Sequence, residues 1–466
     1  RLSRYEMIAG QGRSALGAQA LGWYYFTHQN YGAAVPWFQA SLDWTEADKR
    51  EVKTAEGLAV SLRQDARADE AEDIAYEWRE KSPGMRALFI DIFSESLIRQ
   101  SAPILFSKER LTRYGEIVDA DKSAQGAEGL AWYALNRKLW PEGVRWFRNA
   151  IDWSEGGKNN EKFAEGYAQS LRGVGNYDAA EDIAYEWRET SRTMRALYID
   201  TVVEALGKLA TADTHAPARF KRFTELVAAD RSVAGAEAIG WYLYTRQSFT
   251  DAVSWFRQAI DYGVAPERAD KVAEGYILAL RYMGDIETAE ELAFRDSDKS
   301  ESLRTVYVEI AAETLTRLKP PALMRPDKLE RFATLTSRIR SSFGAQAIGW
   351  YYQQRDNSAA AADWFNRSIE WGGKITDAKT AQGYLLALIS QDRMDEADKL
   401  AFEWHEKSEE FRTLYIDVFG GAILRTMPPQ NFSEQMLSRF AYITAYARSV
   451  FGSQAVAWYY YDRQDW

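Results

Sequence analysis

Gly17-Ala-Gln-Ala-Leu-Gly-Trp-Tyr-Tyr-Phe-Thr-His28 decides how this chain is read, because recognisable copies of it begin at Gly126, Gly235, Gly344 and Gly452. The copies start 109, 109, 109 and 108 residues apart, so nearly all 466 residues fall into one long period. Such a repeat outranks the count of about three domains that length alone suggests, since repeat units pack on their neighbours. The expectation is one continuous solenoid with periods at about 1–109, 110–218, 219–327 and 328–435 and a partial period at 436–466. Arg1-Leu-Ser-Arg-Tyr5 returns at Arg110-Leu-Thr-Arg-Tyr114, and Trp466 falls where Tyr31 stands, so both ends cut a period open and the sequence reads as a fragment of a longer protein.

Within one period, apolar residues at three-and-four spacing predict helices over Leu2–Ala9, Leu16–Thr27, Tyr31–Trp44, Lys53–Arg63, Ala68–Arg79 and Met85–Arg99. Polar breaks at Gln29-Asn30, Gln64-Asp-Ala66 and Gly173-Val-Gly-Asn176 separate helices. No stretch alternates long enough to predict a strand. Pro103, Pro217, Pro320-Pro321 and Pro428-Pro429 should stop the first helix of the third hairpin in each period and lengthen the turn after it.

Ala18, Leu21, Gly22, Tyr25, Ala34, Phe38 and Ser41 stand at the offsets of small, Leu, Gly, aromatic, Ala, Phe and small residues that mark a tetratricopeptide repeat. The chain resembles that family. A second hairpin carries Ala55, Ala59, Leu62, Ala71 and Ala75 in the same places and departs at Trp78, and a third, less regular hairpin completes the period. The resemblance implies an all-α, right-handed superhelical solenoid with three hairpins per 109-residue period. It also implies that the first helix of each hairpin lines a groove. Trp23, Trp132, Trp241, Trp350 and Trp458 then face the groove, with Gln19, Glu128, Glu237, Gln346 and Gln454 one turn earlier. In the second hairpin the groove positions are Lys53, Glu56 and Arg63, then Lys162, Glu165 and Arg172, then Lys271, Glu274 and Arg281, and last Lys379, Gln382 and Ile389.

Two readings of these residues compete. Indoles at helical spacing are usually core and Lys–Glu neighbours are ordinary surface pairs; alternatively they are a ligand-binding stripe. Trp37, Trp146, Trp255 and Trp364, with Trp44, Trp153, Tyr262 and Trp371, lie on second helices and are expected to be packing residues that abut the core Phe. Arg4, Arg113, Arg222, Arg331 and Arg439 recur, as do Arg86, Arg195, Arg304 and Arg412 with Asp91, Asp200, Glu309 and Asp417. Arg–carboxylate pairs between hairpins would explain them.

The net charge of −10, from 58 basic and 68 acidic residues spread along the chain, argues against nucleic acid as the main partner. The absence of cysteine removes disulfides, thiolate metal sites and thiol nucleophiles. No apolar run approaches the roughly 20 residues that span a bilayer. His28, His215 and His405 occupy unrelated phases of the period and form no metal or base cluster. Gly156-Gly-Lys158 and Gly372-Gly-Lys374 lack the spacing of a phosphate loop and read as turns. No catalytic constellation, cofactor or metal is expected, and the chain should not be an enzyme.

The expected function is a scaffold that takes partner proteins or peptides in its groove. Ala-Leu-Gly-Trp-Tyr-Tyr followed by Trp-Phe-x-x-Ser/Ala, in a long cysteine-free repeat array, is similar to the repeat-rich periplasmic part of cellulose-type secretion proteins. That resemblance implies a periplasmic scaffold for exopolysaccharide synthesis and export, with cellulose synthase components, peptidoglycan or the polysaccharide itself as partners. The alternative is a cytoplasmic peptide-binding adaptor or regulatory module.

Overall fold

The computed structural model describes residues 1–99, 106–157, 160–209, 215–372, 375, 377–425 and 432–462. Pro103, Lys158, Gly373, Lys374, Pro428, Pro429 and Trp466 lie outside the described residues. Among the described residues there are 26 α-helices, one short 3-10 turn at Ala47–Lys49 and no strand. The chain divides into two units, Arg1–Phe223 and Thr224–Trp466.

The first unit holds α1 (Leu2–Gln11), α2 (Ala15–Thr27), α3 (Tyr31–Trp44), α4 (Val52–Gln64), α5 (Ala68–Trp78), α6 (Pro83–Arg99), α7 (Lys108–Asp121), α8 (Ala124–Asn136), α9 (Trp140–Trp153), α10 (Glu161–Gly173), α11 (Tyr177–Glu186), α12 (Arg192–Lys208) and the start of α13 (Pro217–Asp230). The second holds the rest of α13, then α14 (Val233–Thr245), α15 (Phe249–Gly263), α16 (Pro266–Met283), α17 (Ile286–Asp296), α18 (Glu301–Arg317) and α19 (Pro326–Ile339). It continues with α20 (Ser342–Gln353), α21 (Ser358–Trp371), α22 (Ala378–Ile389), α23 (Met394–Trp404), α24 (Glu409–Arg425), α25 (Glu434–Tyr446) and α26 (Val450–Asp462). The six helices expected in the first period end within two residues of their predicted bounds. Pro217 opens α13 instead of stopping α12, as suits a residue with a fixed φ and no N–H to leave unpaired.

Within each unit the substantial helix contacts run between sequence neighbours and between successive even-numbered helices, such as α2 on α4, α6 on α8 and α20 on α22. Odd-numbered helices two apart meet through side-chain ion pairs, as α5 with α7 and α17 with α19, and α23 also packs on α25. The even-numbered helices therefore make one continuous layer in each unit, and the odd-numbered helices pack against it.

The repeated stretch is an initiation device and a packing device at once. Ser14, Ser123, Ser232, Ser341 and Ser449 accept a hydrogen bond from the N–H of Gly17, Gly126, Gly235, Gly344 and Gly452, at 3.1–3.2 Å, which satisfies a first-turn donor of each helix. The residue before each Ser is in the left-handed region, and it is basic every time: Arg13, Lys122, Arg231, Arg340 and Arg448. A cation there complements the carboxyl end of the preceding helix.

Fully buried Phe38, Phe147, Phe256 and Phe365, on α3, α9, α15 and α21, key these odd-numbered helices to the layer. Their rings lie against glycines of even-numbered helices: Gly22 and Gly57, Gly166, Gly240 and Gly275, Gly349 and Gly383. In the second period Ala131 stands where the others have the first of these glycines. At Gly166 an added Cβ would lie 2.1 Å from Cζ of Phe147. The glycine is required by the ring, not by the backbone.

Candidate functional site

The even-helix layer is where the recurrent polar and aromatic residues gather. Trp23, Trp132, Trp241 and Trp350 are half-buried. Their rings meet Phe38, Phe147, Phe256 and Phe365 edge-on, with centroids 5.0–5.2 Å apart. This differs from the expected division of labour, because the first-helix indoles are the ones whose rings abut the core Phe. Of the second-helix series only Trp146 is buried, whereas Trp37, Trp255 and Trp364 are half-exposed. Trp458 on α26 is 54% exposed, with Tyr461 against its edge.

The polar residues predicted for the groove are largely tied to neighbouring helices. Gln19 donates to Glu51 and Thr54 at 2.7 and 2.8 Å. Gln346 donates to Asp377 at 2.6 Å. Glu237 is buried and ion-paired with Arg268 at 2.9 Å. Glu56 accepts from Ser82, and Glu165 from Gln169. Arg63 pairs with Glu95, Arg172 with Glu204 at 2.7 Å, and Arg281 with Glu309 and Glu313 at 3.2 and 2.9 Å. Glu128 and Glu274 are half-buried, and Lys53, Lys162 and Lys271 stand exposed. Ile389 and Gly421 occupy the Arg and Glu positions in the fourth period, so both halves of the ion pair are replaced together there.

Glu204 is the most strongly held member of the set. Hydrogen bonds from Lys208 and Arg172, followed by one from Tyr177, outweigh its partial burial and bring its pKa down to about 2. Beside it, Lys138, Trp140, Arg172, Asp200 and Lys208 line a cleft of about 660 Å³. A second cleft, of about 790 Å³, lies between the α5–α6 turn and the α7–α8 turn.

A second recurrent series went unread in the sequence. Glu72, Glu181, Glu290 and Asp398 are 1–6% exposed on α5, α11, α17 and α23, and each meets a cation from the helix that opens the next period. Arg110 serves Glu72 at 2.6 Å, and Lys328 serves Glu290 at 3.4 Å. Arg439 serves Asp398 at 2.8 Å, while Tyr415 donates to the same carboxylate at 2.5 Å. Glu181 is surrounded by His215, Arg219 and Arg222 at 3.4, 3.2 and 2.6 Å. Recurrence at the period was the signal that could have found them.

The expected Arg–carboxylate pairs between hairpins are present for Arg222 and Arg439, and not for every arginine of the two series. Arg222 and Arg439 reach back to acids of the preceding hairpin, Arg113 and Arg331 lie over Tyr76 and Phe294, and Arg86 pairs with Asp121 and Glu80 instead of Asp91. His215 and His405 are buried, and Nδ1 of His28 lies 2.7 Å from the Tyr24 carbonyl. No group of three or more His, Cys, Asp or Glu positioned to hold a metal exists among the described residues. No described helix is long and apolar enough to cross a membrane.

No family model and no curated protein matches the chain. Among solved structures it is similar to the Cut9–Hcn1 hetero-tetramer of the APC/C, at 10% identity and a TM-score of 0.26 over 95% of this chain and 96% of that one. It is similar to the maize pentatricopeptide repeat protein PPR10, at 12% and 0.35 over 99% and 66%. It is also similar to Naa15/Naa10 bound to HypK-THB, at 13% and 0.39 over 97% and 73%. At these scores function is left to the residues of this chain, whose fold is an all-α stack of helical hairpins.

Proposed function

We propose that the chain is a non-catalytic scaffold that holds partner proteins or peptides against its even-numbered helices. The observation that carries the reading is the construction of that layer. In each of four periods a half-exposed indole is fixed edge-on against a buried Phe. Polar side chains around it are tied helix to helix, so they have little freedom left to lose when a partner docks. A photo-crosslinking amino acid at Lys162, on the even-helix side, is expected to give discrete protein adducts in the native host. The same probe at Arg148, exposed on α9, should give none. Equal labelling from both positions contradicts the reading.

The finer reading places the scaffold in the periplasm, in cellulose-type exopolysaccharide synthesis and export, with synthase components or glucan against the same layer. Its support is the Ala-Leu-Gly-Trp-Tyr-Tyr run and the suitability of indole faces for stacking on sugar rings. Titration with cellohexaose should then shift tryptophan emission in the intact chain and fail to do so after Trp132→Ala with Trp241→Ala. No shift removes glucan as a ligand and leaves protein partners. A cytoplasmic adaptor or regulatory module is the alternative, and adducts confined to cytoplasmic proteins would favour it.

A further inference from the structure

One arginine position of the repeat changes its circumstances along the chain. On α6, Arg86 lines the 790 Å³ cleft and is neutralised there by Asp121 at 2.7 Å and Glu80 at 3.6 Å. On α12, Arg195 meets Glu189, the counterpart of Glu80, at 3.6 Å. The same position is Arg304 on α18 and Arg412 on α24, and both are half-buried.

The nearer of the two carboxylates is missing there. The position of Asp121, which is Asp230 in the second period, is Ile339 in the third and Ala447 in the fourth. Asp298, the counterpart of Glu80 in the third period, is ion-paired with Arg338 at 2.9 Å. Glu406, its counterpart in the fourth, is solvent-exposed. Nε of Arg304 is buried without a hydrogen-bond partner. Arg412 lies 5.6 Å from the ring of Tyr446, which is itself 67% exposed.

A second substitution accompanies the first. Gln125 also lines the 790 Å³ cleft, and its position becomes Ala234, Phe343 and Phe451 in the later periods. Phe343 is 52% exposed and Phe451 is 40% exposed, with the Phe451 ring against Gly420 of α24. The third and fourth periods thus give up an internal acid and gain an exposed aromatic ring. Arg304 and Arg412 also stand one turn in from the N-termini of their helices, the end at which backbone dipoles favour an anion. Glu301 and Glu409, one turn earlier, are solvent-exposed.

We infer that Arg304 with Phe343, and Arg412 with Phe451, are two docking sites for carboxylate side chains of a partner's acidic segment flanked by apolar residues. The partner's carboxylate takes the place that Asp121 fills within the first period, and the neighbouring apolar side chain covers the Phe. This rests on the scaffold reading and names the chemistry of the partner.

The test uses the full chain and three labelled Gly-Ser peptides, carrying three Leu-Glu pairs, three Leu-Gln pairs or three Leu-Lys pairs. Fluorescence anisotropy should show the Leu-Glu peptide binding at least tenfold more tightly than the other two. Arg304→Gln with Arg412→Gln should abolish that preference. Ile339→Asp with Ala447→Asp, which restores the internal acid, should abolish it as well while helicity by circular dichroism is unchanged. Equal binding of the Leu-Glu and Leu-Gln peptides, or undiminished preference in the acid-restored chain, overturns the inference and leaves the scaffold reading standing. If none of the peptides binds, the inference is overturned as well, and the scaffold reading is decided separately by crosslinking at Lys162.

Discussion

A methyl group is enough to test how the core is keyed. Gly166→Ala puts a carbon 2.1 Å from Cζ of the fully buried Phe147 and has no way to relieve the overlap without moving a helix. The expected loss is about 3 kcal/mol, read as a lower midpoint in urea. Gly207→Ala is the control, since nothing lies within 4 Å of its added Cβ on α12. It should raise stability by up to about 1 kcal/mol. The same core sets the expectation for the indoles. Trp132→Ala removes a ring edge-on to Phe147 and should cost about 2–3 kcal/mol, close to the ~3 kcal/mol expected for buried Trp146→Ala. A Trp132 variant that melts like wild type would show that the indole does not support the core. The tetratricopeptide offsets made Phe38 and Gly22 legible as packing residues. They left Trp23 between groove and core, because a sequence offset gives the direction of a side chain but not how far the next helix covers it.

Among the elements, the buried acids show how similar sequence positions acquire opposite electrostatics. Burial pushes the Glu72 carboxyl above its ordinary value, and Arg110, 41% exposed, does not compensate. Burial acts on Glu181 too, but hydrogen bonds from His215 and Arg222 outweigh it and hold that carboxyl below its ordinary value. Glu181→Gln should therefore cost about 3 kcal/mol at pH 7, because Arg219 and Arg222 lose their buried counter-charge and keep only exposed carboxylates such as Asp182. Glu72→Gln should change stability by less than about 1 kcal/mol. Equal losses in urea titrations of the two variants would contradict this account. Glu204 gives a pH dependence with a definite sign. Its folded pKa of about 2 lies below an unfolded value of about 4.3, so its contribution is present above the unfolded value and is lost as pH falls through the folded one. Glu204→Gln should flatten the decline in stability between about pH 4 and 2, by under ~1 kcal/mol because the pair is one-third exposed. Helix bounds were legible because apolar spacing is a local signal. The acid series was not, because a Glu on a polar helix face looks like solvent charge until a cation from the next period covers it.

The whole chain is held together by short-range contacts: in each unit the substantial ones reach no further than the second helix along. That pattern follows from a repeat whose small residues, buried Phe and capping Ser return at every period, and it makes stability close to a sum over adjacent hairpins. What the period cannot encode is its own variation. The exchange of Asp121 for Ile339 and Ala447, and of Gln125 for Phe343 and Phe451, breaks the repeat and becomes meaningful only once the Arg beside it is seen without that acid. The central claim, that neighbouring hairpins suffice to build the fold, is tested most directly by a chain beginning at Arg110. Far-UV circular dichroism and hydrogen exchange should show unchanged helicity per residue and undiminished protection of α14–α24. Loss of helicity throughout the remaining chain would contradict it.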